Sequence, residues 1–180
     1  QLVPGQEAGR IFDALRDELE WRSQSITLFG KRMLQPRLIA WYGDPGASYG
    51  YSGRRYDPRP WTSTLQALRE RVQGAAGATF NSVLANLYRN ERDSMGLHAD
   101  DEPELGPRPV IASLSLGETR VFRLRHRERR DLKALRLELA SGSLLIMRGD
   151  TQRNWKHEVP KARHPCGARI NLPFREILAL

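Results

Sequence analysis

Cysteine is nearly absent from this chain, since Cys166 is the only one among 180 residues. A single cysteine excludes an internal disulfide and a zinc cluster built from thiolates, and it suits a reducing compartment. No run of about 18 apolar residues and no signal-peptide core occurs, so no transmembrane helix is expected. We therefore expect an intracellular protein, cytoplasmic or, in a eukaryote, nuclear, with no membrane partner.

Acidic residues are also scarce relative to basic ones. The chain has 21 Asp and Glu against 29 Lys and Arg, which gives a formal net charge of +8. Basic residues concentrate in three runs, at positions 54–59, 123–130 and 161–163. Such runs are usually solvated faces, but on so basic a chain they favour contacts with phosphate backbones. We therefore predict a nucleic-acid partner whose binding depends steeply on salt.

The periodicity of apolar residues changes along the chain. Helical spacing around positions 11–19 and 62–72 predicts two helices, the second capped by Thr62 or Ser63 and ended by Gly74 and Gly77. From position 80 onward, alternating patterns punctuated by glycine and proline predict short strands. The length and the lack of repeats indicate one domain over residues 1–180. We predict an α+β, mainly β fold, a sandwich or jelly roll whose larger sheet is covered by the helices. The predicted strands are 28–31, 37–42, 80–89, 110–116, 119–124, 132–139, 143–147, 155–159 and 168–177.

A potential metal site starts at His98-Ala99-Asp100. In a strand, residues two apart point to the same side, so His98 and Asp100 would present an imidazole and a carboxylate together. Among the four histidines, His157 is the best third ligand because it falls within a predicted strand. Two histidines and one carboxylate form the facial triad of non-haem iron oxygenases. The alternative interpretation is an ordinary surface pair.

The last predicted strand separates apolar and polar residues cleanly. Ile170, Leu172 and Phe174 fall on one side, and Arg169, Asn171, Pro173 and Arg175 fall on the other. A doubly cationic face suits a dicarboxylate, which arginine binds with two parallel hydrogen bonds. Since six strand residues span about 20 Å, either the two arginine side chains converge from both ends or the strand bends, and Pro173 suggests a bend or an edge position.

Asn86 and Tyr88 share one face of another predicted strand. An amide and a phenol at that place would complete an anion pocket. The alternative is an ordinary half-buried strand with its polar residues outward.

Taken together, these motifs resemble the AlkB family of Fe(II)- and 2-oxoglutarate-dependent dioxygenases, with the greatest similarity to the mammalian AlkB homologues that act on DNA. The resemblance extends over residues 28–175. It implies a double-stranded β-helix (jelly roll) core at about 80–177 and a nucleotide-recognition lid at about 20–60. The implied reaction removes N-methyl groups from 1-methyladenine and 3-methylcytosine and releases formaldehyde, succinate and CO2. The motifs are 86–88, 98–102, His157 and 169–175.

The resemblance also implies roles for individual residues. His98, Asp100 and His157 would hold the iron. Arg169, helped by Tyr88, would pair with the distal carboxylate of 2-oxoglutarate. The keto-acid end would lie near Arg175, Asn86 and Asn171, although Arg169 and Arg175 can exchange these roles. Pro173 stands where the close homologues usually carry a threonine that touches the cosubstrate.

On the substrate side, a base must leave the duplex to reach the metal. Tyr49 and Tyr51 resemble the aromatic residues of the family's lid, and Glu102 is suited to accept a hydrogen bond from an exocyclic amine. Phe29 resembles a residue that fills the gap left by a flipped base. The alternatives are a hairpin packed on the sheet, a solvated carboxylate and a core phenylalanine, respectively.

We expect a monomer that acts on alkylated DNA, single- or double-stranded, with RNA left open. Two other functions compete with this one. The first is a 2-oxoglutarate oxygenase that acts on a protein or a small molecule. The second is a nucleic-acid-binding module without catalysis, which would not need three metal ligands and two arginines kept together.

Overall fold

The computed structural model describes residues 1–28, 31–51 and 54–178, with the backbone alone at 26–28, 31–32, 49–51 and 54–56. The helices are α1 Gly5–Glu18, α2 Ser63–Ala76 and the short α3 Thr151–Asn154. The strands are β1 Arg22–Leu28, β2 Lys31–Gly43, β3 Tyr49–Tyr51, β4 Arg54–Tyr56, β5 Ser82–Tyr88, β6 Met95–His98, β7 Ile111–Gly117, β8 Arg120–His126, β9 Leu135–Leu139, β10 Leu144–Met147, β11 Trp155–Val159 and β12 Arg169–Arg175. None of the described helices is both long and apolar enough to cross a membrane.

Two antiparallel sheets face each other. The larger has the strand order β1-β2-β5-β12-β7-β10, and the smaller has the order β6-β11-β8-β9. An apolar cluster joins them, with Tyr88 and Ile111 from the larger sheet and Phe122, Leu124 and Val159 from the smaller one. This is the predicted jelly roll, and β3 and β4 form a separate hairpin beside it.

The two long helices cover the outer face of the larger sheet, as predicted. Buried residues of α1 and α2 share one core with the outward-facing residues of β5, β7 and β12. Thr62 caps α2, since its hydroxyl accepts a hydrogen bond from the Leu65 amide. The prediction that Gly74 ends this helix was wrong. The helix continues to Ala76 and ends at Gly77, whose φ of 60° is readily adopted by glycine.

Strand β12 lies in the interior of the larger sheet, between β5 and β7. The expectation of an edge position for Pro173 was therefore wrong. Pairing with β7 is continuous through Leu172 and Pro173, whereas pairing with β5 is interrupted between Asn171 and Phe174. Because proline has no amide hydrogen, it is tolerated where one neighbouring ladder is broken. All seven residues of β12 are buried, so its polar face lies between the sheets.

Other differences concern short elements. The predicted strand at 28–31 lies partly outside the described residues: Leu28 is the last residue of β1, and Lys31, its cross-strand partner, is the first of β2. Strands β3, β4 and β6 were not predicted, since each has only three or four residues and no clear alternation. Strand β1 was also missed apart from Leu28, and the predicted strand at 37–42 covers only the second half of β2. The other predicted strands overlap the observed ones within a few residues.

Candidate active site

A cluster of two imidazoles and a carboxylate forms at the open end of the sandwich. His98 and His157 are direct cross-strand partners on β6 and β11, which places their rings on the same face. Asp100 Oδ1 lies 3.8 Å from His98 Nε2, and Asp100 Oδ2 lies 3.7 Å from His157 Nε2. The three candidate ligand atoms fall within 4.8 Å of one another. The structure therefore brings together the predicted triad.

The route by which Asp100 reaches this cluster differs from the prediction. Strand β6 ends at His98, so Asp100 lies in the following segment and not two residues along a strand. Its backbone amide donates to Gln152 Oε1 at 3.0 Å, and its Oδ1 accepts from Arg175 Nη2 at 2.8 Å. Burial alone raises the pKa of Asp100, but Arg175 and the two histidines outweigh burial and hold that pKa below its usual range. Asp100 is therefore a carboxylate, the form that binds metal.

The environment of each histidine also favours metal binding. Burial, followed by the charge of His98, lowers the pKa of His157 to about 4, so its ring is neutral near pH 7. The Nδ1 of His98 donates to the Gly96 carbonyl at 2.8 Å, so its Nε2 is the ring nitrogen that remains available toward the cluster. Two imidazoles and one carboxylate are the donors of a facial triad, and they fit a divalent iron ion.

A second polar cluster lies where β12 begins. The Arg169 side chain is 1% exposed, and its Nη2 donates to Ser115 Oγ at 2.9 Å. Its guanidinium carbon lies 5.2 Å from the centre of the Tyr88 ring. Within the described part of the chain, Arg169 Nε and Nη1 and the Tyr88 hydroxyl are buried without hydrogen-bond partners. A buried cation with two unpaired donors suits an anionic ligand.

The two asparagines between these clusters are already engaged. Asn86 Oδ1 accepts from Arg37 Nε at 2.7 Å. Asn171 Nδ2 donates to Ser113 Oγ at 2.7 Å and to the Leu114 carbonyl at 3.0 Å. The predicted positions on the inner face are correct, but part of each amide's hydrogen-bonding capacity is used within the protein.

A cavity of about 700 Å³ opens beside the triad, a size typical of small-molecule sites. Strands β1 and β2 bound it on one side, and residues 95–100 bound it on the other. Arg37, Trp41, Glu102 and Arg175 contribute to its lining. Glu102 thus lies in the cavity that contains Asp100, as expected. Phe29 falls outside the described residues, as do the side chains of Tyr49 and Tyr51.

The basic run at 123–130, which begins within β8, is largely paired with acidic groups. Glu158 forms ion pairs with Arg123 and Arg125. Arg127 pairs with Asp101, next to the triad carboxylate, and Arg129 pairs with Asp131. The run therefore lies beside the site, but its free positive charge is smaller than the sequence suggests.

Several polar residues of the site were missed by sequence reasoning. Gln152, Arg37, Ser113 and Ser115 are brought to the site by pairing between distant strands or by a short helix. Only the alternating pattern of β7 signalled that Ser113 and Ser115 share a face. No local pattern marked Gln152 or Arg37.

The fold and the triad define a class, namely jelly-roll proteins with a two-histidine, one-carboxylate metal site. Residues 1–175 match the family described as the 2OG-Fe(II) oxygenase superfamily. The chain is 42% identical over 188 residues to the human protein named alpha-ketoglutarate-dependent dioxygenase alkB homolog 3, and the match covers 98% of this chain and 65% of that relative. It is 41% identical over 181 residues to the mouse protein named DNA oxidative demethylase ALKBH2, covering 96% of this chain and 76% of that relative. The solved structure titled "The structure of OsALKBH1" superposes with a TM-score of 0.67 at 19% identity, covering 97% of this chain and 94% of the other, and it supports the fold alone.

The chain therefore belongs to the 2OG-Fe(II) oxygenase superfamily and, within it, to the AlkB homologues. Membership assigns Fe(II) as the metal and 2-oxoglutarate as the cosubstrate, in agreement with the triad. The chain spans about two thirds, 65%, of the length of the human relative.

Proposed function

We propose that this protein removes N-methyl groups from 1-methyladenine and 3-methylcytosine in DNA by oxidation, with RNA as a further substrate. The observation that carries the proposal is the cavity, whose lining includes Glu102 and two residues of the metal triad, His98 and Asp100. The names of the relatives, a dioxygenase and a DNA oxidative demethylase, support the same chemistry.

His98, Asp100 and His157 hold the metal in this proposal. The chemistry that Fe(II) supplies when bound is activation of O2, with 2-oxoglutarate converted to succinate and CO2 and the methyl group released as formaldehyde. Arg169 and Tyr88 bind the distal carboxylate of the cosubstrate, because Arg169 Nε and Nη1 and the Tyr88 hydroxyl are buried with no hydrogen-bond partner among the described residues. Arg175 lies at the opposite end of β12 and pairs with Asp100, which supports its placement near the keto-acid end. Asn171, which lies between the two arginines on β12, and its cross-strand partner Asn86 lie near the keto-acid end in this proposal.

The substrate base enters the cavity after leaving its helix, because the triad lies inside the sandwich. Glu102 accepts a hydrogen bond from the exocyclic amine of adenine or cytosine. Tyr49 and Tyr51 supply a stacking surface, and Phe29 fills the gap in a duplex. These residues fall within the proposed lid at about 20–60, and β1 and β2 of that segment bound the cavity.

In this proposal, residues 1–180 form a single domain and the protein acts as a monomer. It is located in the cytoplasm or the nucleus, together with its nucleic-acid substrate. Phosphates contact exposed cations near the site, such as Arg125, Arg130 and Lys156. We expect the logarithm of the DNA association constant to fall linearly with the logarithm of salt concentration, by about 0.9 for each phosphate contact.

The deciding experiment measures formaldehyde and succinate with Fe(II), 2-oxoglutarate and matched oligonucleotides. The oligonucleotides carry 1-methyladenine or 3-methylcytosine, in single- and double-stranded forms. His98→Ala is expected to abolish turnover because it removes a metal ligand. His164→Ala is the matched control, since His164 is exposed and outside the cluster.

Each outcome decides between the candidate functions. Formaldehyde release that is lost in His98→Ala and kept in His164→Ala supports the proposal. Loss of 2-oxoglutarate without attack on any nucleic acid would indicate an oxygenase with a protein or small-molecule substrate. No loss of 2-oxoglutarate from the iron-loaded protein would leave a non-catalytic nucleic-acid-binding module.

A further inference from the structure

Arg120 at the start of β8 is a buried arginine that neither the triad nor the cavity uses. Its side chain is 3% exposed. Its Nη2 donates to the backbone carbonyls of Asp93 at 2.8 Å and Pro160 at 2.7 Å, and its Nη1 donates to that of Asn90 at 3.2 Å. One guanidinium thus ties the segment after β5 to the segment after β11.

The same guanidinium lies against Tyr88. Its carbon is 5.6 Å from the centre of the Tyr88 ring, and the carbon of Arg169 is 5.2 Å from that centre. Two buried cations therefore share one aromatic ring. Such cation–π contacts fix the orientation of the ring and of the cations.

No carboxylate forms an ion pair with Arg120 among the residues that the structure describes. The Asp93 carboxylate binds the Nε, Nη2 and backbone amide of Arg89, and the charge of Arg120 reaches it without an ion pair and helps to lower its pKa. Arg169 likewise has no acidic partner within the described part of the chain. Burial lowers the pKa of Arg169, Tyr88 partly offsets this effect, and the charge of Arg120 lowers the pKa further, as expected for two neighbouring cations.

We propose that Arg120 is a positioning residue for the distal-carboxylate pocket: it holds the Tyr88 ring against Arg169 and adds a second positive charge that the cosubstrate's carboxylate neutralises. This inference rests on the proposed role of Arg169 and Tyr88. It goes beyond that role because Arg120 reaches the cosubstrate only through Tyr88 and through its electric field. A low local dielectric makes this field effective.

The test compares two 2-oxo acids on the Mn(II)-loaded protein by isothermal titration calorimetry. Pyruvate has the keto-acid end of 2-oxoglutarate but lacks the distal carboxylate. We expect Arg120→Met to weaken 2-oxoglutarate binding at least about tenfold, the size typical of a lost charged interaction, and to leave pyruvate binding within about twofold. Arg120→Lys keeps the positive charge but loses the planar group over the Tyr88 ring. We therefore expect it to lose less affinity for 2-oxoglutarate than Arg120→Met. Arg136→Met, on exposed β9, is the control and leaves both titrations unchanged.

In turnover, the Michaelis constant for 2-oxoglutarate is expected to rise in Arg120→Met and Arg120→Lys while kcat at saturation stays nearly constant. A merely structural role would instead lower the melting temperature and affect both 2-oxo acids equally, and that result would overturn the inference. Unchanged 2-oxoglutarate affinity in both variants would overturn it too. If Arg120→Met does not fold, Arg120→Lys decides alone. Failure of the wild-type protein to bind 2-oxoglutarate would instead overturn the proposed function.

Discussion

The ion pair between Arg175 and Asp100 is a sensitive place to perturb the metal site. The two side chains are 6% and 5% exposed, and their Nη2 and Oδ1 atoms are 2.8 Å apart. Replacing Arg175 by methionine keeps most of the volume but leaves a buried carboxylate without its cation. Breaking a buried pair in this way costs about 3 to 5 kcal/mol. For a domain of this size, that corresponds to a fall of roughly 6 to 20 °C in the melting temperature of the metal-free protein.

A bound divalent cation reduces this loss of stability in Arg175→Met, because the cation neutralises the Asp100 carboxylate directly. In the variant, the cation is also no longer repelled by the Arg175 guanidinium. We therefore expect Mn(II) to raise the melting temperature of Arg175→Met by more than it raises that of the wild type. Circular dichroism melts with chelator and with Mn(II) measure both quantities. Arg129→Met is the matched control, since its pair with Asp131 is exposed to solvent and surface pairs of this kind contribute little to stability.

A metal-free Arg175→Met that melts within about 2 °C of the wild type would refute this reasoning. It would mean that Asp100 takes up a proton or water without cost. An equal effect of Mn(II) on variant and wild type would show that Arg175 and the metal do not compete for the same carboxylate.

Three further predictions concern single residues. The pKa of His157 is about 4 in the folded protein and near 6.5 when unfolded, so the unfolded state binds more protons between these values. Urea titrations of the metal-free protein should therefore show stability falling by roughly 3 kcal/mol from pH 6.5 to 4, and constant stability would contradict this. Gln152→Ala leaves the Asp100 amide unpaired and should weaken Mn(II) binding by about tenfold or more, measured by calorimetry, with unchanged affinity as the contrary result. Gly117→Ala places a Cβ 2.5 Å from the Ala168 carbonyl oxygen at a φ of +84° and should cost at least about 2 kcal/mol in urea denaturation, whereas a melting temperature equal to that of the wild type would exclude strain there.

Local patterns in the sequence were enough to predict most of the helices and strands. The alternation at positions 169–175 correctly separated a face for the helices from a polar face, because strand geometry alone sends neighbouring side chains to opposite sides. The same holds for α2, whose apolar spacing and Thr62 cap are local properties. The His-x-Asp motif and the third histidine were found because the chain has only four histidines.

The tertiary structure decided which of these groups meet. The pairing of β6 with β11 brings His98 opposite His157, although they are far apart in sequence and β6 had no recognisable pattern. Three contacts join elements that are distant in sequence. They are the hydrogen bond from Arg175 to Asp100, the hydrogen bond from the Asp100 backbone amide to Gln152, and the contact of Arg120 with Tyr88. Strand spacing determines the side to which a residue points, whereas its partners depend on strand order and register. Those are set by the packing of the whole core, which no local pattern encodes.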